Sequence, residues 1–190
     1  MTDLTEPVLW YVARASGLVS LLLLTVSVLL GIASGARGPV LPRFVTQRLH
    51  RASALTGVLL LVVHVVAVVV DPYVSLNWYD VWWPFAADDQ RLWTGLGTLA
   101  VDLLVLVVAT SIVRHRVGAR AWRRIHLTAY AVYALSIGHG VGIGTDSLTP
   151  WAAAMTATSA GLALAALGVR VRRDRDRRGK RYNAELEVPT

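Results

Sequence analysis

The chain contains no cysteine among its 190 residues. This absence excludes disulfide bonds, thiolate metal ligands, iron–sulfur clusters and covalently attached c-type haem. Any bound metal would therefore be held by histidine nitrogens or by oxygen ligands. Charge is also scarce, because only 16% of the residues are charged while 55% are hydrophobic. A soluble domain of this size would need more polar surface than that.

Charged side chains are missing from long apolar stretches. Residues 17–36 contain none, and residues 52–70 contain none apart from His64. A transmembrane helix needs about 20 predominantly apolar residues. A helix also satisfies its own backbone polar groups in lipid, so we predict an all-α integral membrane protein. The predicted bundle has about five transmembrane helices, at residues 8–32, 48–70, 92–113, 121–143 and 150–171.

The loops between these spans alternate in charge, which predicts the orientation of the chain. The second and fourth loops are acidic, whereas the first and third loops are rich in arginine, as is the segment 172–190 after the last span. By the positive-inside rule, the arginine-rich loops and the C-terminus are cytoplasmic and the N-terminus is outside. We expect residues 1–171 to form one membrane domain and residues 172–190 to form a basic cytoplasmic tail.

Four of the five histidines form two pairs within the predicted spans. The second span holds His50 and His64 at a spacing of i, i+14, and the fourth holds His126 and His139 at i, i+13. At about 1.5 Å per residue, each gap covers about 20 Å of helix. Each span therefore carries one imidazole near each side of a hydrocarbon core about 30 Å thick. Ionisable groups inside a membrane are costly, and they mark functional sites.

The predicted orientation makes the second and fourth spans parallel. His50 can then face His126 at the inner end, and His64 can face His139 toward the outer end. The i, i+14 spacing returns to nearly the same face of a helix, but the i, i+13 spacing misses it by about 140°. We therefore expect either rotated rings or an irregular fourth helix near its glycines.

Two imidazoles on opposite sides of an iron porphyrin would form a six-coordinate haem, which chiefly passes electrons because no site is open for substrate. Two stacked haems would make an electron path across the membrane. Four glycines would let a flat macrocycle approach the backbone, namely Gly57, Gly138, Gly140 and Gly142. A zinc or copper site is less suitable because its ligands must converge within a few ångströms. Histidines that only pack between helices are the simpler alternative.

The residues around these histidines carry a family resemblance. Arg-Leu-His50-Arg is followed by His64, and Arg-Arg-Ile-His126 is followed by His139. Together with Trp10–Gly17 and the Arg-Leu-Trp93-Thr-Gly-Leu-Gly stretch, they resemble the ferric reductase-like transmembrane domain over about residues 8–171. That family includes the haem cores of ferric reductases and NADPH oxidases, and the haem subunit of the bacterial methionine sulfoxide reductase system.

The resemblance implies specific roles for the four histidines. His50 and His126 would ligate an inner b-type haem, and His64 and His139 would ligate an outer one. Electrons would enter from a cytoplasmic flavin or quinol and leave toward an extracytoplasmic acceptor. The chain differs from the larger relatives because the segment 172–190 after the last span is too short for a flavin- and nicotinamide-binding domain. Many relatives also have six helices.

We therefore expect an electron-transfer subunit of a ferric reductase-like oxidoreductase in the cell membrane. Any flavin would be carried by a partner flavoprotein, or a quinone would act as the donor, and nucleic acid is not an expected partner. The basic tail is interpreted as an anchor to anionic lipid that can also dock an acidic flavoprotein. His115, among the arginines of the third loop, is interpreted as a solvated residue.

Arg14 and Asp102 are two further charged residues inside predicted spans. Arg14 is either a structural, snorkelling arginine or a ligand for a propionate of the outer haem, and Asp102 either pairs with it or tunes a group nearby. The loop at residues 71–91 is rich in aromatic residues. It is either an interfacial aromatic belt or a roof over the outer haem.

Two functions of other classes compete with a cytochrome. The first is an ion or proton transporter in which His64, His139 and Asp102 form a titratable relay. The inner histidine pair argues against it, because a relay does not require His50 and His126 to match across two helices. The second is a structural or assembly subunit whose histidines only pack.

Overall fold

The computed structural model describes residues 5–34, 41–143 and 149–186. These residues form seven helices and no β-strand, which confirms the predicted all-α class. In chain order the helices are α1 (Thr5–Ser34), α2 (Arg43–Val70), α3 (Arg91–Ile112), α4 (Arg114–Val117), α5 (Ala119–Leu127), α6 (Ala129–Ile143) and α7 (Pro150–Leu186).

Four of the described helices are long and apolar enough to cross a membrane. The candidate spans are Val8–Ser34, Arg43–Val70, Arg91–Ile112 and Pro150–Arg173. Many of their large apolar side chains point outward, such as Leu59 and Leu164, which are 67% and 68% exposed. An apolar surface of this extent is suited to lipid rather than to water. The chain is therefore a multi-pass membrane protein.

The fourth predicted span consists of two helices, α5 and α6, which meet at Thr128. The N–H of Thr128 bonds to the carbonyl of Ile125 at 2.9 Å, the three-residue spacing of a 3₁₀ turn. Such a turn advances about 120° per residue rather than 100°. The turn therefore rotates α6 in the direction that brings His139 closer to the helix face of His126. One such turn supplies only part of the roughly 140° by which the two residues would otherwise miss the same face. The irregularity lies directly after His126, rather than near the glycines.

The helices pack as two antiparallel pairs that α1 joins. Helix α1 packs along α2, α3 packs along α6, and α1 also contacts α6 and α7. A buried cluster of Leu21, Tyr133 and Ala163 marks the place where α1, α6 and α7 meet. Between the described residues of α2 and those of α5 and α6, no two Cα atoms lie within 8 Å. Side chains alone therefore fill the space between these helices.

Helix α7 continues from the fifth predicted span into the basic segment. It runs to Leu186, so most of residues 172–190 are helical. The guanidinium of Arg170 donates a hydrogen bond to the Tyr130 hydroxyl at 2.7 Å. This bond ties α7 to the beginning of α6, where the chain enters the apolar part of the bundle.

The hydroxyl of Tyr133 provides a test of the α1–α6 contact. It lies 2.9 Å from Thr25 Oγ1, and Thr25 in turn donates to the Leu21 carbonyl at 2.8 Å, so the tyrosine is the donor. Tyr133→Phe should lower the free energy of unfolding in detergent by about 0.6–1 kcal/mol, the usual value of an interhelical hydrogen bond in a membrane protein. Tyr11→Phe is the control, because Tyr11 is 64% exposed. Equal stability of the two variants would contradict the prediction.

Candidate functional site

The structure brings together the first pair of histidines, His50 from α2 and His126 from α5. We call it the inner pair, following the predicted orientation. The two ring centres are 6.1 Å apart and the ring planes are inclined at 73°. On the His50 ring, Nδ1 lies 2.8 Å from the Ser27 carbonyl oxygen and 3.0 Å from the Ser27 hydroxyl. Helix α1 thus orients His50.

The other ring of the inner pair is supported differently. Among the described residues, Nδ1 of His126 is buried without a hydrogen-bond partner. The ring instead stacks on Trp122, one helical turn earlier, with centres 5.0 Å apart and planes inclined at 27°. The indole N–H of Trp122 donates to Ser111 Oγ at 3.3 Å. His126 is therefore held by a stack that is anchored to the end of α3.

The outer pair consists of His64 from α2 and His139 from α6. Their ring centres are 6.3 Å apart and their planes are inclined at 83°. Nδ1 of His64 lies 2.7 Å from the Ala13 carbonyl oxygen on α1, and Nδ1 of His139 lies 2.9 Å from the Trp93 carbonyl oxygen on α3. A carbonyl can only accept, so Nδ1 carries the proton in both rings. The lone pair available for a metal is then on Nε2.

The spacing within each pair would allow both rings to bind one metal. With metal–nitrogen bonds of about 2.0 Å and ring centres about 1.1 Å behind each nitrogen, the two centres would lie about 6.2 Å apart. The observed distances are 6.1 and 6.3 Å. The described residues contain no cluster of three or more His, Cys, Asp or Glu side chains able to hold a bare metal ion. Two imidazoles suffice for haem iron, because the porphyrin supplies the other four nitrogens.

An apolar layer separates the two pairs. Ala100 and Leu104 of α3 and Val132 of α6 form a buried cluster, against which Val58 and Leu61 of α2 pack. Val58 and Leu61 fall between His50 and His64 in sequence, as Val132 falls between His126 and His139. These side chains are apolar, so they contribute no group that can carry a proton between the pairs.

Comparison with known families identifies the family of the chain. The family described as "Ferric reductase like transmembrane component" matches residues 16–137. The chain belongs to this family. Comparison with curated proteins and with solved structures gives no match. As a member of the ferric reductase-like family the chain is a membrane electron-transfer component. The match includes His50, His64 and His126 and ends just before His139.

The structure gives Arg14 and Asp102 separate surroundings. Arg14 is half-buried on α1, directly after Ala13, whose carbonyl holds His64, and its guanidinium carbon lies 4.5 Å from the centre of the Trp10 ring. Asp102 is half-buried on α3. The described parts of α1 and α3 do not pack against each other. Arg14 therefore lies at the level of the outer pair, next to the carbonyl that holds His64. The remaining histidine, His115, is exposed on α4.

The loop between α2 and α3 is fixed to the first turns of α3. Thr98 Oγ1 donates to the Asp80 carbonyl at 2.9 Å, and Arg91 Nε donates to the Phe85 carbonyl at 2.6 Å. Its larger aromatic side chains are exposed, including Tyr79 and Trp83, whose rings stack 5.8 Å apart. Exposed Trp and Tyr at a helix end are typical of an aromatic belt. Other loop residues help α2 and α3 to line an apolar cavity of about 410 Å³.

The glycines that lie against the imidazoles differ from the four that the sequence assigned to the approach of a macrocycle. Gly57 packs against Leu23 and Leu24 of α1. On α6, Gly138 packs against Leu96 of α3 and Gly142 packs against Trp93 of α3. Gly140 has open space around it within the described structure. The rings lie instead against three other glycines, namely Gly17, Gly31 and Gly97. A sequence signal for two of them exists, because Gly17 and Gly31 share the i, i+14 spacing of His50 and His64.

Proposed function

We propose that the chain is a b-type cytochrome subunit that passes electrons across the membrane through two bis-histidine haems. The observation that carries this proposal is the repeated geometry of the two histidine pairs. Both have the ring spacing of axial ligands on one metal, 6.1 and 6.3 Å, and both are formed between the same two spans. Membership of the ferric reductase-like family supports the same function.

In this proposal His50 and His126 hold the inner haem, and His64 and His139 hold the outer one. A bound haem supplies a one-electron carrier, and two axial imidazoles leave no iron position open to oxygen or substrate. The chain's own part is to orient the rings and to keep water out. The carbonyls of Ser27, Ala13 and Trp93 do the first by accepting from ring nitrogens, and the apolar layer between the pairs does the second.

The proposed path runs from a cytoplasmic flavin or quinol to an acceptor outside the cell membrane. Residues 1–171 would form the electron-transfer domain, and residues 172–190 the basic cytoplasmic segment. The helical extension of α7 beyond the membrane carries arginines that suit anionic lipid or an acidic flavoprotein. The flavin and the nicotinamide chemistry would then belong to a partner, and this chain would be the membrane subunit of an oxidoreductase.

A proton or ion transporter fits the observations less well. A relay that uses His64, His139 and Asp102 must still cross the membrane past the level between the two pairs. Val58, Leu61 and Val132 pack there and offer no polar group. The rings of His64 and His139 are also restricted as proton carriers, since Nδ1 of each ring is bonded to a backbone carbonyl. Axial ligation suits this arrangement, because it leaves Nε2 as the ligand.

Haem content tests the proposal directly. The purified full-length chain should bind two b haems per polypeptide, seen in a reduced-minus-oxidised spectrum and by haem quantification. His50→Ala and His64→Ala should each reduce the content to one, because each removes a ligand from a different pair. His115→Ala is the matched control and should retain both haems, since His115 is exposed. A folded, haem-supplied chain without haem would overturn the cytochrome proposal.

Arg14 supplies a second test, which concerns the outer site. If its guanidinium pairs with a propionate of the outer haem, Arg14→Ala should lower outer-haem occupancy and leave the inner haem in place. Arg116→Ala, at an exposed arginine of α4, is the control for loss of one positive charge. An unchanged haem count in Arg14→Ala would leave Arg14 with a structural role only.

The orientation is testable because the chain has no native cysteine. Asp88→Cys in the acidic loop should react with a membrane-impermeant thiol reagent in intact cells. Arg116→Cys in the arginine-rich loop should react only after permeabilisation, because positively charged loops remain in the cytoplasm. The opposite labelling pattern would reverse the proposed direction of electron flow.

A further inference from the structure

Three of the four paired imidazoles are held by one repeated backbone device. Nδ1 of His64 bonds to the Ala13 carbonyl, Nδ1 of His50 to the Ser27 carbonyl, and Nδ1 of His139 to the Trp93 carbonyl. In each case a glycine stands at i+4 from the acceptor, respectively Gly17, Gly31 and Gly97. Positions i and i+4 lie one above the other on the same face of a helix.

The positions of Gly17 and Gly97 explain why these two residues have no side chain. A Cβ atom at Gly17 would lie 2.8 Å from Nδ1 of His64, and one at Gly97 would lie 2.6 Å from Nδ1 of His139. Both distances are too short for a real contact. At Gly31 the nearest atom of His50 would lie 3.5 Å away, which is ordinary contact. Because the glycine has no side chain, the ring can lie against the neighbouring helix. It then reaches the carbonyl of the residue four positions before the glycine.

The register of α1 and α2 makes two of these arrangements match. Gly17 and Gly31 stand at i and i+14 on α1, and His50 and His64 stand at i and i+14 on α2. The two helices are antiparallel, so the earlier glycine meets the later histidine. Chance packing would place one glycine under one ring; a matched pair on one helix face indicates a device for positioning both.

We propose that Ala13 with Gly17, Ser27 with Gly31 and Trp93 with Gly97 are three imidazole seats, each fixing the Nδ1–H tautomer and the ring orientation of one ligand. The seats make the two sites unequal. Both rings of the outer pair are seated, whereas in the inner pair His50 is seated and His126 rests on Trp122 with its buried Nδ1 unpartnered among the described residues. The consequences for haem rest on the function proposed above.

The inequality has a redox consequence. An imidazole that donates Nδ1–H to a carbonyl becomes a more basic ligand, and such hydrogen bonds are one of the means by which a protein tunes a haem potential. A more basic ligand favours ferric over ferrous iron. The seats therefore lower the reduction potential of the outer haem through two rings and that of the inner haem through one.

The tautomers are testable without any electron-transfer assay. The full-length chain, prepared without haem and labelled with ¹⁵N-histidine, should show Nδ1–H and no Nε2–H for His50, His64 and His139. Haem is left out because a metal on Nε2 would by itself leave the proton on Nδ1. Assignment uses single histidine substitutions. An Nε2–H signal from any of the three would overturn the seat at that ring. Haem binding is measured separately on the haem-supplied chain, so failure of the seats and failure of the cytochrome proposal are distinguishable.

Glycine substitutions test what the seats do to the sites. Gly17→Ala and Gly97→Ala should each release the outer haem or raise its midpoint potential, with the inner haem unchanged in a redox titration. Gly161→Ala on α7 is the control, since no heavy atom in the described structure lies within 4 Å of its Cβ position. Two haems with unaltered potentials in Gly17→Ala and Gly97→Ala would refute the proposal, and if neither variant folds, the tautomers decide.

Discussion

The structure depends on hydrogen bonds from imidazole nitrogens to backbone carbonyls of neighbouring helices. An imidazole inside an apolar layer must satisfy its polar nitrogens or lose stability. His64 and His139 do so at 2.7 and 2.9 Å, on α1 and α3 respectively. Each bond uses a carbonyl that is already part of a helix, so the ring is oriented by the most rigid element available. What remains on each ring is one unprotonated nitrogen, which suits a metal ligand.

This requirement accounts for how the helices are arranged. The two helix pairs, α1 with α2 and α3 with α6, each contain one helix that bears histidines and one that holds them. Helix α2 and the α5–α6 segment keep their backbones apart, so that only side chains meet between them. Between the two pairs, Val58 and Leu61 pack against the buried cluster that contains Val132. The result is two pairs of imidazoles with an apolar cluster between them.

The break at Thr128 follows from the spacing of the histidines. A regular helix would turn His126 and His139 to different faces, because their i, i+13 spacing is not a whole number of turns. The 3₁₀-type hydrogen bond between Thr128 and Ile125 changes the winding directly after His126. The same region carries the Trp122 stack, which supports a ring that no carbonyl in the described structure reaches. The inner and outer pairs thus have similar ring spacing but different support.

The sequence alone determined four of the five predicted membrane spans and the two histidine pairs, whereas the span predicted at residues 121–143 is divided between α5 and α6. Both are local properties: a hydrocarbon layer requires about 20 apolar residues per helix, and the helical rise converts residue spacing into depth. The pairing of His50 with His126 and of His64 with His139 also followed, because it requires only that two spans run in parallel. Only the tertiary structure decided which carbonyls hold the rings, which glycines lie beneath them and where the fourth span breaks. Those features depend on contacts between helices distant in sequence. The spacing of Gly17 and Gly31 indicates a contact with imidazoles only once the structure shows which ring lies against each glycine.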